Sequence, residues 1–175
     1  MKKGNHTLLK QRAIAMAYQP EQQRDNITIL KIVEFNLGDE IYGIESAFVR
    51  EVFTLTDFTR LPGVPSFILG IVNLRGQILS LVDLKKFFNL PEKGLGELNK
   101  VIILRDEQME FGILADEVNG TKEIYTEEIL PVPQTVTGIG ANFLKGVTKN
   151  RLILLSAEDL LSDKNLVIHE EVTHY

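Results

Sequence analysis

Residues 61–84 read LPGVPSFILGIVNLRGQILSLVDL, and the order of residue types in this stretch decides the fold. Pro62 and Pro65 fix φ and bias Leu61 and Val64 toward extended conformations, so the segment enters as a stiff, non-helical strap. Ile68, Leu69, Ile71 and Val72 form an aliphatic, β-branched run. Gly70 interrupts it, and glycine in a strand marks a bulge or the close approach of another backbone. Arg75-Gly76 places a φ-permissive glycine between two apolar runs and reads as a hairpin reversal, with 77–82 as the return strand. Asp83 stands at an N-cap position before Leu84-Lys85-Lys86-Phe87-Phe88, a short helix with a basic outer edge. The stretch is therefore a strap, a strand, a tight turn, a strand and a helical stop, with one arginine displayed at the turn.

The whole chain bounds what such a unit can belong to. Its 175 residues suffice for one domain, or for two small lobes sharing a core, that buries roughly two-thirds of the unfolded surface. Hydrophobic residues at 44% and charged residues at 25% place it among globular proteins and exclude disordered or collagen-like classes. No segment approaches the run of about 18 apolar residues that a membrane helix needs. A net charge of −5 argues against nucleic acid as the main partner. With no cysteine there are no disulfides, no thiolate catalysis and no zinc-thiolate site, which suits a reducing cytoplasm. Lys10 and Arg12 interrupt what would be the apolar region of a signal peptide, so the expected location is cytoplasmic.

Working outward, residues 7–18 carry Leu9, Ala13, Met16 and Ala17 on one helical face, and the polar stretch 20–26 reads as a linker. Residues 27–37 and 40–44 form a hairpin around Gly38-Asp39. Residues 45–53 read as a short helix or turn with Phe48, Val49 and Val52 on one side and Arg50 and Glu51 pointing away. Residues 90–99, with one proline and two glycines, mark the clearest internal boundary. Beyond it, 101–104 and 109–118 form a second hairpin, Leu130-Pro131-Val132-Pro133 a second strap, and 143–155 a second strand, turn and strand. Residues 156–161 form a second helical stop, ahead of a polar tail.

The two halves align. Phe35, Tyr42, Gly43, Ile44 and Val49 lie 69 residues before Leu104, Phe111, Gly112, Ile113 and Val118, and Leu61-Pro62 falls on Leu130-Pro131 at the same spacing. Seven extra residues within 134–142 then raise the spacing to 76, which carries Phe67, Gly70, Arg75 and Asp83 onto Phe143, Gly146, Arg151 and Asp159. On this reading Asp83 and Asp159 are both helix caps. About five short strands per half cannot cover a sheet face alone, so closure into two packed five-stranded barrels is the economical expectation.

These residues resemble the CheW family of chemotaxis coupling proteins. The match is most specific over FILGIVNLRGQILSLVDL, with Gly70, Asn73, Leu74, Arg75, Gly76, Val82, Asp83 and Leu84 on the family pattern. It is supported by Gly43-Ile44 with Val49 and Glu51, by the first strap, by Gly112-Ile113 with Asp116 and Val118, and by Leu144-Lys145-Gly146-Val147. The resemblance covers residues 29–161. It implies a mainly β fold of two packed SH3-like five-stranded barrels with short helices; the N-terminal helical extension read from residues 7–18 departs from it, being longer than the simplest members carry. The expected division is a helix and linker over 1–26, a CheW-like domain over 27–165 with intertwined lobes of about 27–92 and 99–161, and a tail over 166–175.

It also implies a non-catalytic adaptor that links the cytoplasmic tip of a methyl-accepting chemoreceptor to the regulatory domain of the histidine kinase CheA. No cofactor and no metal is expected, nor any nucleic acid or membrane insertion. The adaptor would be cytoplasmic, monomeric outside the signalling array and recruited to it. Arg75, Gly70 and Asn73 fall in the family's receptor-contact region, and Val49 and Glu51 fall on positions implicated in coupling; no kinase-binding residues are assigned. Two other readings stay open: a CheW-like module of a non-flagellar pathway, and a small-barrel nucleic-acid-binding protein, which would need a basic face interleaved with exposed aromatics. Catalytic readings lack a frame, because His6, His169 and His174 all lie in terminal segments and no GxxxxGK[ST] or GxGxxG cradle occurs.

Overall fold

The computed structural model describes residues 28–91, 99–136 and 138–166. The anticipated N-terminal helix, the linker and most of the tail lie outside these residues. Among the described residues eleven strands and two short helices make up the fold, which is mainly β and SH3-like. The strands are β1 (Ile29–Leu37), β2 (Glu40–Glu45), β3 (Val49–Thr54), β4 (Ile68–Leu74), β5 (Gln77–Val82), β6 (Lys100–Arg105), β7 (Glu110–Ala115), β8 (Glu117–Tyr125), β9 (Ile129–Leu130), β10 (Leu144–Thr148) and β11 (Ile153–Leu155). The helices are α1 (Leu84–Phe87) and α2 (Ala157–Ser162).

The strands assemble into a six-stranded sheet, β8-β1-β2-β11-β10-β9, and a five-stranded sheet, β3-β6-β7-β5-β4. The sequence repeat explains this order. The β1-β2 hairpin of the first half sits among β8, β10 and β11 of the second, while the β6-β7 hairpin of the second half sits among β3, β4 and β5 of the first. Each exchanged hairpin docks on one side through a parallel pairing, Leu154 beside Gly43 in one sheet and Leu81 beside Gly112 in the other, and on its other side through an antiparallel one, β1 on β8 and β6 on β3. A Cβ at either glycine would press on a packed side chain, Ile32 at Gly43, and Val101 and Leu81 at Gly112.

The largest core lies between the sheets. It takes Val33, Phe35, Leu37 and Ile44 from one, Ile102, Leu104, Phe111 and Ile113 from the other, and Leu84, Phe87, Leu160 and Leu161 from the helices. Because β6 and β7 bury both faces, Val101, Ile103 and Leu114 build a second core on the outer side with Leu69, Val72, Leu79 and Leu81. That explains why 101–104 reads as a continuous apolar run rather than an alternating one.

Four expectations change. Neither sheet closes into a barrel: Thr59 makes only an isolated bridge to Ile71 along the edge of β4, and the equivalent strap in the second half pairs twice with β10 and becomes β9, the sixth strand. Residues 117–125, unrecognised in the sequence, form an edge strand, and only Ile124 in it is buried. Of the helix or turn expected over 45–53, the turn is found at Ser46–Phe48 as a single 3-10 turn, and the rest is strand β3. The second helix is capped by Ser156, whose Oγ accepts from the Asp159 N–H at 3.2 Å, so Asp159 is inside the helix. Asp83 does cap α1, accepting from the N–H groups of Lys85 and Lys86.

Lys85 also departs from the expected basic outer edge. Its side chain is 8% exposed and its Nζ donates to Asp116 Oδ1 at 2.6 Å. Asp116 Oδ2 accepts from the Gly38 N–H at 2.7 Å, so one carboxylate at the β7–β8 junction fastens α1 and the β1-β2 turn together. Just past the end of α1, Asn89 takes φ 54 and the Leu90 N–H donates to the Lys85 carbonyl at 2.8 Å, which satisfies the last turn.

The exchanged hairpins make each half a poor folding unit. Residues 1–98 and 99–175 expressed separately are expected to give collapsed, poorly dispersed amide NMR spectra, and an equimolar mixture is expected to recover the dispersed spectrum. Native-like dispersion from either fragment alone would contradict the exchanged topology.

Candidate functional site

The β4-β5 turn has two central residues, and both take positive φ, 53° at Arg75 and 88° at Gly76. That combination matches a type I′ reversal, whose twist suits the flanking strands. Asn73 closes the turn by accepting the Gly76 N–H on Oδ1 at 2.8 Å. A left-handed conformation is cheap for Gly76 but costs a non-glycine residue about 1–2 kcal/mol, so Arg75 is an unfavourable choice for the turn alone. Its side chain supplies the reason: the guanidinium is 75% exposed, and Nη2 bonds Glu51 Oε2 on β3 at 3.1 Å.

Glu51 is aimed by a bulge. Val49 pairs with Leu104 and Glu51 with Ile103, which leaves Arg50 as an extra residue in β3. A regular strand sends neighbouring side chains to opposite faces, whereas a bulge re-aims one of them. Arg50 and Glu51 accordingly meet on one face, with Arg50 Nε 3.6 Å from Glu51 Oε1. Arg50 Nη1 donates to Gln77 Oε1 at 2.9 Å and to Glu110 Oε1, and Gln77 Nε2 donates to Glu110 Oε2 at 2.8 Å. The result is a chain of side chains, Arg75, Glu51, Arg50, Glu110 and Gln77, drawn from β3, β5, β7 and the β4-β5 turn.

The five expected site residues thus separate. Arg75 and Glu51 are brought into direct contact. Asn73 is beside them and spends its carbonyl on the turn. Val49 is half-buried against the main core and, with Phe48, Arg50 and Arg105, lines an open cleft of about 490 Å3. Gly70 is buried at φ 153, and a Cβ there would lie 2.1 Å from the Thr59 carbonyl oxygen. It shapes the strand beneath the turn. Arg50, Gln77 and Glu110 were missed by sequence reasoning; the bulge that joins Arg50 to the group leaves no compositional trace.

The second copy of the turn is different. Arg151 also takes positive φ, 64°, but Gly120 occupies the position 69 residues after Glu51. Among the described residues Arg151 has no carboxylate partner.

Burial pushes the Glu110 carboxyl up, but the hydrogen bonds from Arg50 and Gln77 and the charges of Arg50 and Arg105 outweigh it and hold the group below the usual carboxylate range. A depressed folded value means stabilisation that is present above the unfolded pKa of about 4.3 and lost as pH falls through the lower, folded one. Glu110→Gln is expected to cost about 1–2 kcal/mol in urea unfolding at pH 7 and progressively less below pH about 4. An equal loss at pH 7 and pH 3 would contradict the assignment.

Comparison with known proteins places the chain in a family. The family model of the CheW-like domain matches residues 31–165. The chemotaxis protein CheW of Treponema pallidum is 33% identical over 165 residues, covering 90% of this chain and 93% of that protein. The chemotaxis protein CheW of Klebsiella aerogenes is 33% identical over 141 residues, covering 79% and 85%. The crystal structure of the scaffolding protein TtCheW from Thermoanaerobacter tengcongensis superposes with a TM-score of 0.69 at 32% identity, covering 79% of this chain and 96% of that one. With a family match over most of its length and relatives above 30% identity, the chain belongs to the CheW family.

Proposed function

We propose that the protein is a chemotaxis coupling adaptor without catalytic activity, joining chemoreceptor tips to the regulatory domain of the kinase CheA. The observation that carries the docking surface is Arg75. The fold accepts a left-handed arginine and holds its guanidinium against Glu51 while three-quarters of the side chain stays exposed. A guanidinium offers five donors in a rigid fork, and the Glu51 bond leaves most of them directed outward. Such a group suits carbonyls and carboxylates on a helical receptor tip, and being already ordered it loses little freedom on binding. Val49 and its cleft supply adjacent apolar surface, Asn73 holds the turn, and Gly70 fixes the strand below.

The adaptor works at the cytoplasmic face beside the receptor array, where several modest interfaces add up through multivalency. No helix among the described residues is long and apolar enough to cross a membrane. The kinase-facing residues are left unassigned. The nucleic-acid reading is not favoured by any feature of the surface around Arg75, where two carboxylates stand within the same network.

Pull-down with a soluble chemoreceptor-tip fragment and with a CheA regulatory domain tests the reading, and retention of both is expected. Arg75→Ala is expected to leave the unfolding midpoint unchanged and to weaken the receptor fragment by about 1–3 kcal/mol, a size ordinary for a charged interface contact. Binding to neither partner would overturn the adaptor assignment, and undiminished receptor binding by Arg75→Ala would overturn the docking surface.

A further inference from the structure

The proposed docking surface rests on Arg75, and Arg75 rests on a carboxylate that is itself held. Glu51 presents one oxygen to each of two arginines, Oε2 to Arg75 at 3.1 Å and Oε1 to Arg50 at 3.6 Å. Arg50 is in turn fixed from its far side by Gln77 and Glu110. The Arg75 side chain is 75% exposed, against 21% at Glu51, 27% at Arg50 and 13% at Glu110. The three groups behind Arg75 are thus mostly covered, and Arg75 alone of the four faces solvent.

The charges also balance, two guanidinium groups against two carboxylates. Without Arg50, Glu110 would keep only the charge of Arg105, and the Glu51 carboxylate only the exposed Arg75 as partner. Long side chains at a surface normally lose their pairing to rotamer freedom, which is why exposed ion pairs contribute little. A partner anchored from behind by a planar fork removes part of that freedom before the interface forms.

We propose that Arg50 is a positioning residue of the docking surface: seated in the β3 bulge and held by Glu110 and Gln77, it locks the Glu51 carboxylate and through it sets the direction in which Arg75 presents its guanidinium to a partner. This rests on the reading of Arg75 as a docking residue. It adds that the presentation depends on β7 and β5, which no partner need touch. The geometry requires a guanidinium, because a lysine in the bulge keeps the charge but cannot reach Gln77, Glu110 and Glu51 together.

The test combines binding of the chemoreceptor-tip fragment with the side-chain guanidinium NMR signals of Arg75, assigned by their loss in Arg75→Ala. Arg50→Ala is expected to weaken binding about three- to tenfold in the otherwise unchanged protein and to have no effect in an Arg75→Ala or Glu51→Gln background, the signature of contacts acting through one another. Arg50→Lys is expected to recover less than half of the loss. The Arg75 guanidinium should show restricted rotation in the unaltered protein and free rotation in Arg50→Ala. If Arg75→Ala weakens binding while Arg50→Ala does not, or if Arg50→Ala acts equally in both backgrounds, the positioning role is overturned and the docking surface survives. If neither substitution affects binding, the docking surface fails, and the NMR signals alone decide: rotation freed by Arg50→Ala upholds the positioning, and unchanged rotation overturns it.

Discussion

Everything in this molecule depends on the exchange of two hairpins between the halves of a duplicated chain. β1-β2 completes a sheet built from the second half, and β6-β7 completes one built from the first, each docked on one side through a parallel pairing over a glycine. Parallel strands cannot be joined by a tight turn and need a crossover, which here is the path from β5 through α1 to β6 and β7. The core between the sheets is consequently shared, and its aromatic centre is contributed by both halves. Phe67 and Phe143, at equivalent repeat positions, lie 5.0 and 5.2 Å from the ring of Phe87. A half removed from its partner would expose this core on one side and the edges of its strands on the other.

The candidate docking surface inherits that construction. Arg50, Glu51, Arg75 and Gln77 come from the first half and Glu110 from the second, because the exchanged β7 lies between β5 and β6. Duplication supplied two strained turns with a left-handed arginine, and only one acquired a counter-charge. Arg75 has Glu51 within bonding distance, whereas Arg151 sits in a turn three residues shorter: Gly70 pairs with Leu81 and Gly146 with Leu154. A left-handed arginine is therefore an oriented cation on one lobe and a solvated one, in a different turn, on the other.

Much of this was legible in residue order. The strap, Gly70, the Arg75-Gly76 reversal and the Asp83 cap each follow from a local constraint that few residues satisfy, and the repeat exposed the duplication. What stayed hidden was non-local. The polar strand 117–125 carries one buried residue and gives no periodicity to read, although β1 pairs with it over most of its length. Lys85 looked like an outer residue because its partner Asp116 is 31 positions away. The cap of α2 was displaced to Asp159 by carrying one alignment spacing through a turn of different length. Arg50 and Glu51 were read together on an outward side, but of a helix or turn; the structure brings them to one face by a bulge in a strand. Glu110 has no residue nearby in sequence that signals its role.

The central functional claim is that the first turn, and not its echo, meets the receptor. Amide hydrogen exchange of the protein with and without the chemoreceptor-tip fragment measures this directly, since both turns lie in one spectrum. The account predicts that protection rises over 49–52 and 73–78 while exchange over 148–152 is unchanged. Protection confined to 148–152, or absent from both turns under saturating fragment, would contradict it.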